Sequence, residues 1–298
     1  MTLGNPKGWI HEAQQKHYAI GAFNANTMEQ VQAIVLAAEA EQAPAIIQIS
    51  HNALRYAGSG NETLGMRYMA EIGRVAAESV SVPIALHLDH GTHNEVLQAI
   101  ATGFTSVMFD GGDLPFEENV AVTQRLYTIA NSVNVHFEAE LGAVPRADRN
   151  EKMDHANSLT LPEDAAQFSR ETGIDALAIA IGSVHAIRHK HIHLDLERLK
   201  EISAVVHIPL VLHGASGVTD EDILASIELG ICKVNTATQL TQAFTGAVAG
   251  KLTNDPDEVD PRKYLGPARE AMKERVRERI RFLRLTNRAA DLVFGCHA

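Results

Sequence analysis

The chain has 298 residues, 45% of them apolar, and a formal net charge of −11. That content can bury one large α/β core, while an acidic balance spread along the sequence argues against binding nucleic acid or an acidic membrane surface. No apolar stretch approaches a membrane span, and the N-terminus lacks a charged-then-apolar leader. Cys232 and Cys296 are the only cysteines, which gives neither a disulfide framework nor a thiolate metal pattern. The expectation is a soluble, cytoplasmic protein in which histidines and carboxylates must hold any metal.

Short apolar or β-branched runs recur in chain order: AIGAFNAN (19–26), PAIIQIS (44–50), PIALHLD (83–89), SVMFDG (106–111), VHFEAEL (135–141), ALAIAIG (176–182), PLVLHG (209–214) and CKVNTAT (232–238). Longer segments of helical spacing separate them. Residues 62–80 set Leu64, Tyr68, Ile72, Val75 and Ser79 on one helical face. Cap-like residues open others, at Leu161-Pro-Glu-Asp and at Thr219-Asp-Glu-Asp. Strand then helix, eight times, predicts a closed (β/α)8 TIM barrel of one domain over 1–298, with the barrel at about 19–252. An open dinucleotide-binding sheet would need a glycine fingerprint after the first strand, where FNANTMEQ stands instead. The connections at 142–160 and 183–195 exceed the usual few residues and read as functional loops. Beyond about 253 come a turn-rich connector and a last helix, in which Met272, Val276, Ile280 and Leu283 form an apolar stripe suited to docking on the barrel or on a second subunit.

In such a barrel the chemistry sits at the C-terminal ends of the strands. Here those ends carry Asn24, Ser50, Asp89 with His90, Asp110, Glu138 with Glu140, His185, His213, and Asn235 with Thr238. One such residue is ordinarily a satisfied structural group; eight strands delivering polar groups to one rim is not what packing alone produces. His90, His185 and His213 with an open fourth position would make a catalytic site of zinc type. Neutral imidazoles leave the ion's charge free to stabilise an enediolate. Asp89 then either shuttles a proton beside the metal or orients a histidine. HAIRHKHIH (185–193) looks like a local chelate, but His189, His191 and His193 lie beyond the strand end and are expected to be solvated. HGASG (213–217) and NTAT (235–238) occupy the usual phosphate position of such barrels, with Ser216 and Thr238 as hydroxyl donors.

FNANTMEQ, HLDHG, VMFDGGDLPFEEN, FEAELG, AIGSVH, LHGASG, KVNTAT and DPRKYLGPAREAM, in that order, resemble the class II, metal-dependent ketose-bisphosphate aldolases from about Gly21 to about Lys273. The resemblance implies reversible aldol cleavage of a ketose 1,6-bisphosphate, of fructose or tagatose type, to dihydroxyacetone phosphate and an aldehyde such as glyceraldehyde 3-phosphate. It implies catalytic zinc on His90, His185 and His213, Asp89 as acid/base at the C4 oxygen, and Asp110 and Glu140 at an alternative or second metal position. Gly214, Ser216, Asn235 and Thr238 would hold the dihydroxyacetone phosphate half, with Asn24 and Ser50 also in the substrate site. Backbone oxygens around Gly182 and Gly214 would hold a monovalent cation (Na+ or K+). Arg262 would meet the distal phosphate from a neighbouring subunit of a homodimer or homotetramer.

The chain departs from the family at the second acid/base. It reads ELGAVPRADRNE, so Asp148 stands at the usual glutamate's place, with Glu151 nearby and Pro145 and Arg146 replacing glycines. Gly112, Asp113, Ala186 and His51 also differ from common family residues. Ala237 resembles the tagatose type. These departures keep three other readings open: the same chemistry on another phosphorylated ketose such as sulfofructose phosphate, a metal-retaining barrel without turnover, and, more weakly, a metallohydrolase.

Overall fold

A computed structural model describes residues 3–142, 144, 145, 147 and 159–294. Asp148, Glu151 and Cys296 lie outside the described residues. Helix α1 (Lys7–Lys16) leads into β1 (Ile20–Asn24), α2 (Met28–Ala40), β2 (Ala45–Ser50), α3 (His51–Ala57), α4 (Glu62–Glu78) and β3 (Ile84–Gly91). Then follow α5 (His93–Thr102), β4 (Ser106–Phe109), α6 (Phe116–Ser132), β5 (His136–Leu141), α7 (Pro162–Thr172) and β6 (Ala176–Ile179). The last part holds α8 (Leu196–Val205), β7 (Leu210–Leu212), α9 (Asp220–Glu228), β8 (Ile231–Thr236), α10 (Thr238–Asn254), α11 (Arg262–Phe282) and α12 (Ala289–Phe294).

The eight strands are parallel and paired in sequence order, and β8 closes on β1 through Ala22 opposite Asn235. Strands covered on both faces must be apolar almost throughout, which is why the eight runs were legible. Several of the helices have a start fixed by a side chain. Thr27 accepts from the Gln30 amide, Asn61 from Leu64, Asp195 from Arg198 and Thr219 from Asp222. Thr92 and Glu95 form a reciprocal capping box on α5. Among the described residues, no helix is long and apolar enough to cross a membrane.

Two helices show how far spacing carries. In α11, Met272, Val276, Ile280 and Leu283 just past its end are fully buried, and the helix packs on α2 and α10 of its own chain. In α4 the face marked by Leu64, Tyr68 and Val75 is the outer one, at 36%, 53% and 56% exposure. The inner face is Gly65, Met66, Met69, Ala70, Gly73, Ala76 and Ala77. The physical reason is close approach. A Cβ on Gly65 would lie 1.9 Å from the Leu54 carbonyl oxygen, and one on Gly73 would lie 3.1 Å from Leu86 Cδ1. Small residues let the helix sit against α3 and β3, so its larger apolar groups point outward.

Candidate active site

β3 does not stop at Asp89. It continues through His90 and Gly91, with a register shift against β4 between Leu88 and Gly91. His90 sits at φ 52°, a left-handed conformation that a non-glycine residue adopts only under constraint. In a regular strand Asp89 and His90 would face opposite sides of the sheet. The irregularity re-aims His90, so both line one cavity of about 560 Å³ at the C-terminal ends of the strands. That volume suits a small molecule.

His90, His185 and His213 come from β3 and from just past β6 and β7, and one nitrogen from each lies within 4.8 Å of the others. Their rings meet edge-on, with centroids 4.9–5.9 Å apart. His90 Nδ1 lies 2.7 Å from Asp110 Oδ2, and His213 Nε2 lies 2.9 Å from Glu138 Oε1. With these nitrogens as N–H donors to carboxylates, the neutral rings would offer His90 Nε2 and His213 Nδ1, 3.1 Å apart, as lone pairs to a metal. Two imidazole nitrogens on one tetrahedral zinc would be about 3.3 Å apart, from metal–nitrogen bonds of about 2.0–2.1 Å. The donor set therefore fits a zinc-type ion.

Charge points the same way. Burial alone would lower the His90 imidazole, yet Asp89, Asp110 and Glu140 override it and push it up to about 10. The corner of the cavity around His90 thus favours a positive charge. Asp89 is buried, which alone would raise its carboxyl; His90, His213, Lys233 and a hydrogen bond from Asn24 Nδ2 at 3.1 Å hold it below the usual range. Gln48 in turn donates to Asn24 Oδ1. The second carboxylate oxygen of Asp89 has no hydrogen-bond partner among the described residues. It is a restrained base with one oxygen open. Burial raises the carboxyl of Glu140, whose Oε2 stands 3.3 Å from His213 Nδ1. Asp110, expected at a second metal position, is engaged by His90 in this structure.

The side of the cavity expected to hold an anion is built by backbone. Gly214 has φ 65°, and a Cβ there would lie 2.9 Å from the Val184 carbonyl carbon. Ser216, Asn235, Ala237 and Thr238 line the cavity beside Gly214. Both polar atoms of the Asn235 side chain are buried and without a partner among the described residues. Helix α10 begins at Thr238 with no side-chain cap, leaving its first N–H groups available to an anion. Asn24 and Ser50 also line the cavity; Gly182 and Arg262 of the same chain do not. Arg262 is 89% exposed and gripped by Asp260. His189, His191 and His193 are exposed and take no part in the histidine cluster, and His93 is the first residue of α5.

The sequence does not single out Lys233, and Glu138, expected with Glu140 at the rim end of β5, lies inside the barrel instead. Lys233 Nζ lies 2.7 Å from Glu138 Oε2, with both side chains at 0% exposure inside the barrel. Burial would raise the Glu138 carboxyl, but Lys233 and the His213 hydrogen bond hold it well below its ordinary value. Below them His87 Nδ1 meets Ser106 Oγ, which meets His136 Nδ1. A signal was present: Lys233 and Asn235 are two apart on one strand and so share its inner face. A lysine there needs a buried anion.

The model of the family "Fructose-bisphosphate aldolase class-II" matches residues 5–288. A fructose-bisphosphate aldolase of Thermus caldophilus is 41% identical, covering 94% of this chain and 97% of its own length. A probable fructose-bisphosphate aldolase of Bacillus subtilis (strain 168) is also 41% identical, over 97% and 100%. Among solved structures, the YdjI aldolase from Escherichia coli K12 superposes with a TM-score of 0.82 at 32% identity, covering 96% and 99%. A putative fructose-1,6-biphosphate aldolase from Coccidioides immitis reaches 0.81 at 29% identity, covering 96% of this chain and 98% of its own. With the histidine cluster, the buried aspartate and the open barrel rim already in one cavity, the chain belongs to the class II fructose-bisphosphate aldolases, a family of metal-dependent carbon–carbon lyases acting on phosphorylated sugars.

Proposed function

We propose that the protein is a zinc-dependent aldolase that cleaves a ketose 1,6-bisphosphate of fructose or tagatose type to dihydroxyacetone phosphate and an aldehyde. The observation that carries this reading is the convergence of His90 Nε2 and His213 Nδ1 at 3.1 Å, each ring pinned from behind by a carboxylate, beside an Asp89 with one oxygen open. Zinc held by His90, His185 and His213 supplies a Lewis acid for the negative charge that develops on substrate oxygen as the C3–C4 bond breaks.

Asp89 takes the proton from the C4 hydroxyl, so that C4 becomes the aldehyde carbon and the bonding pair stays with the C3 fragment. Asn24 keeps the carboxylate of Asp89 in place for that transfer. Gly214, Ser216, Asn235 and Thr238 bind the phosphate and hydroxyls of the retained half, with backbone N–H groups doing most of the anion binding. Asp148, on the segment outside the described residues, is the proposed acid that returns a proton to C3. Arg262, exposed and absent from its own cavity, suits delivery to the site of a neighbouring copy in a homodimer or homotetramer, where a planar, permanently charged fork would clamp the distal phosphate. A Na+ or K+ on backbone oxygens near Gly182 and Gly214 completes the proposed site.

The test is cleavage of fructose and tagatose bisphosphates before and after chelation. Loss with EDTA, restoration with zinc, and joint loss of metal and activity in His90→Ala are expected. A chelator-resistant activity that borohydride traps as a covalent adduct would refute the reading.

A further inference from the structure

The proposed chemistry leaves the far end of the substrate poorly met within one chain. Among the described residues that line the cavity there is no lysine or arginine, although Asp89, Asp110, Asp113 and Glu140 all line it. An anionic distal group would enter an acidic mouth with no lysine or arginine among the described lining residues of this protomer. One basic side chain outside the zinc-type cluster does line the cavity, and it is His51.

His51 follows Ser50, whose register partner on β3 is Asp89. It therefore stands at the β2–β3 end of the rim, on the side of the proposed C4 base. The anion-holding residues of β8 and its following helix are two strands away, across β1. On the aldolase reading, that is the side of the departing aldehyde and its terminal group.

The ring is held in place from behind. His51 Nδ1 lies 2.5 Å from Glu95 Oε1, and Glu95 is buried at 4% exposure. The other oxygen of Glu95 accepts from the Thr92 amide at 2.9 Å and from Thr92 Oγ1 at 2.8 Å. Glu95 is thereby locked by the cap of α5, and it fixes one nitrogen of His51 across 44 residues of sequence. Nε2 is left for a ligand: the nearest carboxylate oxygen, Glu62 Oε1, is 3.8 Å off, too far for a hydrogen bond. His51, Glu62 and Glu95 could be read as a second metal cluster. Both oxygens of Glu95 are already engaged, one by His51 itself and one by Thr92, which argues against that use.

We propose that His51, positioned by Glu95, recognises the distal oxyanion of the ketose and so sets which substrates this aldolase favours. The proposal rests on the aldolase reading above. Its ligand is a terminal tetrahedral oxyanion, phosphate or sulfonate, met by Nε2–H of the imidazolium form, the form in which both ring nitrogens donate while Nδ1–H stays on Glu95. A ring already immobilised on one nitrogen loses little rotamer freedom when the other engages.

The experiment measures kcat and KM of the zinc-loaded enzyme on fructose 1,6-bisphosphate, sulfofructose 1-phosphate and fructose 1-phosphate, for the wild type and for His51→Ala, His51→Gln and Glu95→Gln. Glutamine preserves the capping box, so Glu95→Gln separates positioning of the ring from folding of α5. For whichever oxyanion-bearing ketose the wild type cleaves, both His51 variants should lose about tenfold in kcat/KM, carried by KM, the size of one charge-assisted hydrogen bond. On fructose 1-phosphate they should stay within about twofold, the ordinary scatter of a change that removes no substrate contact. Glu95→Gln should show the same substrate dependence with a smaller loss. An equal loss on all substrates, no loss on any, or a wild type that cleaves only fructose 1-phosphate would overturn the role of His51 and leave the aldolase reading standing. A wild type that, loaded with zinc, cleaves none of the three and not tagatose 1,6-bisphosphate either would take both down.

Discussion

Replacing Lys233 by methionine tests whether the barrel interior holds His213, a proposed metal ligand, in register. Lys233 and Glu138 form an ion pair of 2.7 Å with both side chains at 0% exposure. Removing one partner of such a pair costs about 3–5 kcal/mol, because the other charge stays buried without compensation. Glu138 then either remains ionised in an apolar surrounding or takes up a proton. A protonated Glu138 can turn its O–H instead of an acceptor oxygen toward His213 Nε2, which weakens the 2.9 Å bond that keeps Nδ1 free for a metal. Loss of an outer carboxylate of this kind lowers metal affinity about 10–100-fold. The assays are the urea unfolding midpoint of the metal-free protein and zinc titration against a competing chromophoric chelator. A double variant, Lys233→Met with Glu138→Gln, removes both charges and keeps an amide oxygen facing His213. It should recover most of the stability and bring zinc affinity within a few-fold of wild type. The reasoning fails if Lys233→Met alone costs less than about 1 kcal/mol with unchanged zinc affinity, or if the double variant is no better than the single.

The buried histidines predict acid sensitivity. Burial brings His136 down from 6.5 to about 4, so between these values the unfolded chain binds a proton that the folded chain does not. Stability therefore rises with pH across that window and is lost as pH falls from about 6.5 to about 4, by up to about 3 kcal/mol from this residue. His87, also lowered by burial, acts in the same direction. His90, raised to about 10, contributes constantly throughout that window and is lost only at higher pH. Urea midpoints at pH 7 and pH 5 check this, and His136→Asn should flatten the dependence; an equally steep dependence in that variant would count against it. At the rim, Gly214→Ala forces a side chain into a left-handed position against Val184. It should cost about 1–3 kcal/mol of stability and raise KM for the ketose phosphate. Gly246→Ala, in exposed helix α10 with open space around it, should instead stabilise by about 0.5–1 kcal/mol. Equal behaviour of the two variants in a thermal melt would refute the assignment.

Much of the candidate site's lining was readable from sequence because a closed parallel barrel sends every strand end to one rim. Asp89, His90, His185 and His213 could be named from their places after the third, sixth and seventh runs alone, and the exposed His189, His191 and His193 could be set aside because they fall past a strand end. What could not be read depends on partners far apart in the chain. Glu138 and Lys233 are 95 residues apart, and His51 and Glu95 are 44 apart. No local pattern reports such distances.

The sequence by itself determined the number of strands, their order and the polar residues each one delivers, because strands buried on both faces must be apolar and their ends must not be. Only the tertiary structure decided how those residues act. It turned His90 toward Asp89 through a left-handed bulge, chose Gly65 and Gly73 over Leu64 and Tyr68 as the inner face of α4, and set a carboxylate behind each of His51, His90 and His213. Those choices follow from close packing and from the need of every buried charge for a partner, conditions that exist only once the barrel has closed.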